Sequence, residues 1–386
     1  MTAMTAAGTG ALENTANRVA PAGQSAAGTD YRADRWEARG VLWHESGLDR
    51  VRSCGRWSVR PDGAVQVRAN GAAVGYAGLA SCGSVWACPV CNARVQAVRR
   101  LEVGTALAWG LADGSAAFGA YTLRHHAGSS LDATWRGLTR CWQAVARDKT
   151  VRTLRASLGL VGTIRAAEVT HGANGWHPHL HPVHLFDRPV FADAVAALHA
   201  AQFAAWSRAA ARYGYAAPTL AAQDLHVVSG AQAHDELGDY FVKASYQPTP
   251  DAVGWEMTST QTKSRSRGDG RTPWDLLAAV HREGDADALD LWHVWERESK
   301  GKRALTWSRG LRKAVGLDAE ATDEEIVATE VGTAADAGFV ITDWSPVRSR
   351  PRLGAELLGV IGSAGRWAAG REFCHGHGIP ITDVAA

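Results

Sequence analysis

Apolar and polar residues alternate in AAFGAYTLRH, which ends near Arg124, and again in VGTIRAAEVTH, and a period of two predicts strands for both. GANG then reverses the chain into WHPHLHPVHLF, the pattern of a β-hairpin. LHVVSG reads as a further strand. Recurrence every three to four residues predicts helices elsewhere: through Val95, Val98, Leu101 and Leu107, through Leu131, Trp135, Leu138 and Trp142, and over the Ala-rich stretch 190–212. AHDELGDYFVKASY has the same spacing. Thr272 stands as an N-cap before Pro273, opening a helix through Trp274, Leu276 and Leu277, and LDLWHVWERESKGKRALTWSRGLRKAVGL predicts one more. Thr322 with Glu325 forms a capping box for a last helical piece over about 323–338.

These elements divide the chain. Residues 1–35 are rich in Ala, Gly and Thr without apolar periodicity and read as a disordered tail. A cysteine-rich module of short strand-like pieces follows over 36–100, then a domain of strands and helices over 101–250. A polar basic loop spans 251–272, a helical basic region 273–320 and an extension 321–386. The expected fold class is α/β (α+β): a central antiparallel sheet with flanking helices, a small zinc-stapled N-terminal module and a helical C-terminal region.

Charge narrows the function only locally. Lys and Arg number 41 against 39 Asp and Glu, so a polyanionic partner would have to be met by clusters rather than by the whole surface. Lys263, Arg265, Arg267 and Arg271 form one such cluster, and Lys300, Lys302, Arg303, Arg309, Arg312 and Lys313 another; each is either a set of phosphate contacts or a solvated face. Sixteen tryptophans suit core packing first and base stacking second. The start of the chain lacks a basic and apolar leader pattern, and no run of about eighteen apolar residues occurs, so a soluble cytoplasmic protein without membrane contact is expected.

Two clusters carry metal chemistry. On a strand, His177, His179 and His181 share one face and His184 takes the other, so His179 and His181 can hold one cation between two imidazoles. Counting back through GANG places Glu168 opposite His179 as a third ligand. Such a set leaves coordination positions open and accepts Mn²⁺, Zn²⁺ or Mg²⁺; the alternative is a half-exposed strand with solvated rings. The second cluster is Cys82, Cys88 and Cys91, half of a structural zinc site, with Cys54 as the preferred fourth ligand and His44 as second choice; buried free thiols are the alternative. Farther on, Glu236, Tyr240 and Lys243 lie along one helical face, where a cation near the phenol would ease its attack as a nucleophile. By itself that spacing also fits an ordinary amphipathic surface.

Three stretches in this order resemble the HUH endonucleases, specifically the replication initiator (Rep) proteins of rolling-circle plasmids. Tyr121-Thr122-Leu123-Arg124 is similar to the first motif, His179-Leu180-His181 to the metal motif, and Tyr240 with Lys243 to the nucleophile motif. ALTWSRGLR and CGSVWACPVC resemble the actinobacterial branch, so the similarity covers roughly residues 40–315. The resemblance implies an HUH nuclease domain over 101–250 that nicks and rejoins single-stranded origin DNA. Arg124 would contact the DNA, a divalent cation (Mg²⁺ or Mn²⁺) would sit on His179, His181 and Glu168, and Tyr240 would form a 5′-phosphotyrosine. Glu236 matches a glutamate that some of these initiators use to activate water for the final release. No phosphate-binding G-x4-G-K-[ST] loop is present, so a host helicase would unwind and a host DNA polymerase would extend. Two rivals remain: a relaxase or transposase of the same superfamily, which the position of Tyr240 after the histidines disfavours, and a non-catalytic zinc-dependent DNA-binding regulator.

Overall fold

A computed structural model describes residues 31–71, 73–228, 270–362 and 367–384. The helix predicted around Tyr240 and nearly all of the basic loop lie outside these residues. The strands are β1 (Val65–Asn70), β2 (Ala73–Ala77), β3 (Ser115–Thr122), β4 (Leu160–Gly172), β5 (Gly175–Phe186), β6 (Asp224–Val228), β7 (Leu305–Trp307), β8 (Ala337–Ile341) and β9 (Ile381–Thr382). They form two antiparallel sheets flanked by helices, ordered β2-β1-β8-β9 and β6-β3-β5-β4-β7. The chain divides into two compact units, Met1–Val98 with Ala321–Ala386, and Arg99–Glu320.

In the second unit, β4 and β5 form the predicted hairpin, closed at Gly172 opposite Gly175. Gly175 has φ +80°, a backbone conformation that side chains disfavour and a tight reversal requires. One face of the sheet packs on the helices Leu131–Arg147 and Ala192–Arg212. There the Tyr121 ring lies 5.5 Å from Trp142 and 5.3 Å from Trp206, and its hydroxyl donates to Gln202 Oε1 at 2.8 Å. The same amide meets His184 Nε2 at 3.1 Å, and His184 Nδ1 lies 2.7 Å from Thr163 Oγ1. With Gln202 donating to Nε2, the ring carries its proton on Nδ1, so this buried histidine is neutral and fully satisfied.

The opposite face buries Ala116, Ile164, Ala166, Val183 and Leu185 under Val103, Ala106 and Leu107. Those last three belong to the helix Pro89–Ala112, whose inward side they supply while Leu101 is 50% exposed. The apolar cover therefore ends at Val183 on β5, and the histidines lie beyond it. The predicted helix over 289–317 is interrupted: the helix Ala286–Ser299 stops, and Leu305–Trp307 becomes an edge strand on β4. Pairing of Leu305 with Ala166 adds its side chain to the core, a gain that continuing the helix would forgo. The capping of the helix Pro273–Glu283 by Thr272 is as predicted, with Asp275 completing a capping box.

In the first unit, β1 and β8 bring Val65, Val67, Phe339 and Ile341 onto a core with Trp36, Trp344, Leu357, Ile361 and Cys374. Two expectations are corrected. Residues 31–35 are not tail: the helix Arg32–Glu45 begins there and buries Arg35, Trp36, Ala38, Arg39, Leu42 and Trp43. Its mean hydropathy is low because arginines occupy buried positions, which hides the pattern. The helix opened by Thr322 ends at Ala328, and AGFVI is a strand whose Phe339 and Ile341 alternate inward. Residues 321–386 thus supply two strands to the sheet of the cysteine module, besides the helices Arg352–Ile361 and Trp367–Gly376.

Candidate metal centres

β5 occupies the middle of the five-stranded sheet, so both of its neighbours can present side chains beside its histidines. Glu168 pairs with His179 and Ala166 with His181 across β4, while Thr122 pairs with His179 across β3. One ligand atom each from Glu168, His179 and His181 falls within 4.8 Å of the others. His181 Nε2 lies 3.2 Å from Glu168 Oε2, and the His179 Nδ1 is enclosed without a hydrogen-bond partner. The Phe118 ring stacks on His181 at 5.7 Å with planes 10° apart and fixes its tilt. The side chain of Glu168 is 36% exposed against 9% for His181, so the group opens to solvent on the carboxylate side.

Electrostatics suits a cation. Burial, with neighbouring His177 next, lowers the pKa of His179 to about 3, and burial together with His125 lowers that of His177 to about 4. Both rings are therefore neutral at pH 7, and His179 offers a lone pair beside the Glu168 side chain. His177 is outside the three-ligand group. Its Nε2 lies 3.3 Å from Thr122 Oγ1, and its Nδ1 contacts Nε2 of His125, whose other nitrogen bonds the Asn174 carbonyl at 2.9 Å. His125 thus braces the histidine row from the β3 exit to the hairpin turn. Its only mark in the sequence is its place just after the strand, in TLRHH, and nothing local says that the turn will meet it.

The cysteine group is closed. Cys54, Cys82, Cys88 and Cys91 are all buried, with Sγ separations of 3.7 Å for Cys54–Cys88, 3.5 Å for Cys54–Cys91 and 3.6 Å for Cys82–Cys91. Sulfurs about 2.3 Å from a tetrahedral zinc would be about 3.8 Å apart, so these four could hold zinc with little movement. The Cys91 amide donates to Cys88 Sγ at 3.5 Å and the Ser84 amide to Cys82 Sγ at 3.4 Å, contacts that favour thiolates. Cys54 is the fourth member and His44 is exposed, which decides between the two candidates.

The predicted basic contacts separate. Tyr240, Glu236, Lys243, Lys263, Arg265 and Arg267 lie outside the described residues. Arg124 is exposed directly beyond β3 and Arg309 is exposed after β7. Arg303 is 72% exposed, 3.7 Å from Glu320. Lys302 is committed inside the fold: Nζ is 2.7 Å from Asp132 and 5.6 Å from the Trp135 ring, with 18% of the side chain exposed. The expectation that it meets phosphate is therefore withdrawn. Arg312 likewise bonds Glu102 at 2.9 Å.

A family profile described as "Replication protein" matches residues 79–350. The chain belongs to the replication protein family. The matched span of this replication protein includes Cys82, Cys88, Cys91, Glu168, His179 and His181, with Cys54 upstream of it. The chain is 27% identical to "Protein rep" of Streptomyces lividans over 343 residues, covering 71% of this chain and 73% of that one. It is 33% identical over 141 residues to "Neomycin resistance protein" of Streptomyces cyanogenus, covering 30% and 32% of the two chains. No solved structure matches. Family membership implies DNA binding, and no described helix is long and apolar enough to cross a membrane.

Proposed function

We propose that the protein initiates and ends rolling-circle replication of a plasmid by cutting and rejoining single-stranded origin DNA in the cytoplasm. The observation that carries this reading is the convergence of Glu168, His179 and His181 on an open sheet face in a replication protein. A Mg²⁺ or Mn²⁺ ion on these ligands would polarise the scissile phosphate. The Tyr240 hydroxyl attacks the phosphorus: its O–P bond forms, the bond to the 3′-oxygen breaks, and the departing oxygen gains a proton to become a free 3′-hydroxyl. Lys243 offsets charge on the phosphate and phenolate. One phosphodiester replaces another, so nicking needs no nucleotide hydrolysis, and the 3′-hydroxyl serves a host polymerase behind a host helicase. Glu236 activates water to release the terminal adduct. Exposed Arg124, Arg303 and Arg309, with Lys263, Arg265 and Arg267, hold the strand by its phosphates. Zn²⁺ on Cys54, Cys82, Cys88 and Cys91 staples the first unit.

The test is incubation with a single-stranded origin oligonucleotide and Mg²⁺ or Mn²⁺, followed by denaturing electrophoresis. A covalent protein–DNA adduct is expected from the wild type and none from Tyr240→Phe. An adduct that persists in Tyr240→Phe, or binding with no adduct at all, overturns the reading. Glu236→Ala is expected to nick normally and to accumulate the adduct.

A further inference from the structure

Arg39 is a buried cation on the helix Arg32–Glu45. It is 3% exposed and makes no ion pair among the described residues. Its guanidinium sits 4.0 Å from the centroid of the Trp36 ring and 5.7 Å from that of Trp43, and Nε and Nη2 are enclosed with no acceptor. Two aromatic contacts return only part of the cost of taking a guanidinium out of water. An anion is needed beside it.

The neighbouring backbone shows where that anion belongs. Arg39 rests on Gly55, which has φ +65° and where a β-carbon would collide with the guanidinium. Gly55 follows Cys54, and the peptide is held in place from both sides. The Trp43 indole donates to the Cys54 carbonyl at 2.7 Å and the Trp344 indole to the Gly55 carbonyl at 3.1 Å. Four thiolates around one divalent ion would retain two surplus negative charges in a buried site, where solvent screens them poorly. Arg94 is the second cation near Cys91 and Cys54, but its guanidinium also donates to the Thr329 carbonyl and feels Glu330.

We propose that Arg39 is the counter-ion of the cysteine centre, a positioning residue that stabilises four thiolates around a thiophilic divalent ion and so ties metal loading to the docking of the helix Arg32–Glu45. The proposal rests on the zinc reading of the four cysteines. It goes beyond that reading in assigning the balancing charge to a residue that precedes Cys82, Cys88 and Cys91 by 43, 49 and 52 positions.

The test uses the full chain loaded with zinc and follows its release to a chelating dye. The wild type is expected to hold one zinc per chain, Arg39→Met to lose it about 10–100-fold faster, and Arg39→Lys to stay near the wild type. A packing role alone could also speed release, so the pair is repeated in a Cys82→His background, where the centre has one surplus charge instead of two. Charge balance predicts that the Arg39→Met effect shrinks several-fold there. Equal release from Arg39→Met and wild type, or the same ratio in both backgrounds, overturns the proposal. Should Arg39→Met fail to fold, Arg39→Gln takes its place, and failure of Arg39→Lys to restore slow release counts against charge. A wild-type chain free of zinc and slow to bind it would instead remove the zinc reading itself.

Discussion

The four cysteines of the first unit and the histidine–carboxylate trio of the second each gather ligand atoms within 4.8 Å, yet they leave different room around them. Every sulfur is enclosed, whereas Glu168 keeps 36% of its side chain in solvent beside a nearly buried His181. Four thiolates around one zinc would complete a tetrahedron and leave no place for substrate. Two imidazoles and a carboxylate around an ion would leave positions free for water and phosphate oxygens. The difference lies in saturation: an ion in the first arrangement would contribute to folding, and one in the second would be free to exchange and to meet substrate. Their supports differ in the same sense. Arg39 lies buried against the cysteine loop, while His177, His125 and Thr122 brace the histidine row through neutral hydrogen bonds.

The contrast can be broken most forcefully at the cysteines. Cys88→Ser is expected to abolish stoichiometric zinc and destabilise the first unit by about 5 kcal/mol or more, read by metal analysis and thermal unfolding. A variant that kept full stability would show that the thiols merely pack. Next in size, His181→Ala or His179→Ala is expected to lower Mg²⁺- or Mn²⁺-dependent nicking about 100-fold or more, with zinc content unchanged. Parallel loss of zinc would mean that the two groups do not act separately.

A smaller effect separates histidines on one strand. Burial, and then Arg155, holds the pKa of His184 well below 6.5. The unfolded chain therefore takes up a proton below about pH 6.5 that the folded chain refuses, so stability falls with pH from there down to the folded pKa. The loss is at most about 1.4 kcal/mol per pH unit from this ring. Urea unfolding between pH 7.5 and 5.5 is expected to show a steeper fall for wild type than for His184→Gln; equal slopes would contradict the assignment. Last, Lys302→Met is expected to cost about 1 kcal/mol without altering the salt dependence of DNA binding. Arg309→Ala is expected to leave stability unchanged and reduce that slope by about one. The reverse pattern would return Lys302 to the DNA-contacting residues.

Much of the second unit was legible because its signals are local. The two-residue reversal in GANG fixes the hairpin register, and the register alone puts Glu168 opposite His179. The period of two separates His184 from the other three histidines, and the structure finds it among Thr163 and Gln202 on the helix-covered face. Less was legible where pairing partners are distant. Leu305–Trp307 reads as helix in its own sequence and becomes strand because β4 offers an edge. AGFVI, some 270 residues after β1, completes the sheet of the cysteine module.

Residue spacing alone determined the hairpin, the histidine face, three of the four clustered cysteines and the caps at Thr272 and Thr322. These follow from chain geometry over a few residues, where backbone periodicity leaves few alternatives. Tertiary structure decided the rest: that Cys54 rather than His44 meets the other thiols, that Lys302 is held by Asp132, and that Arg39 rests on the Cys54–Gly55 peptide. Each of those outcomes pits one long-range contact against another of similar chemistry. Only simultaneous packing of segments far apart in the chain settles which contact is made.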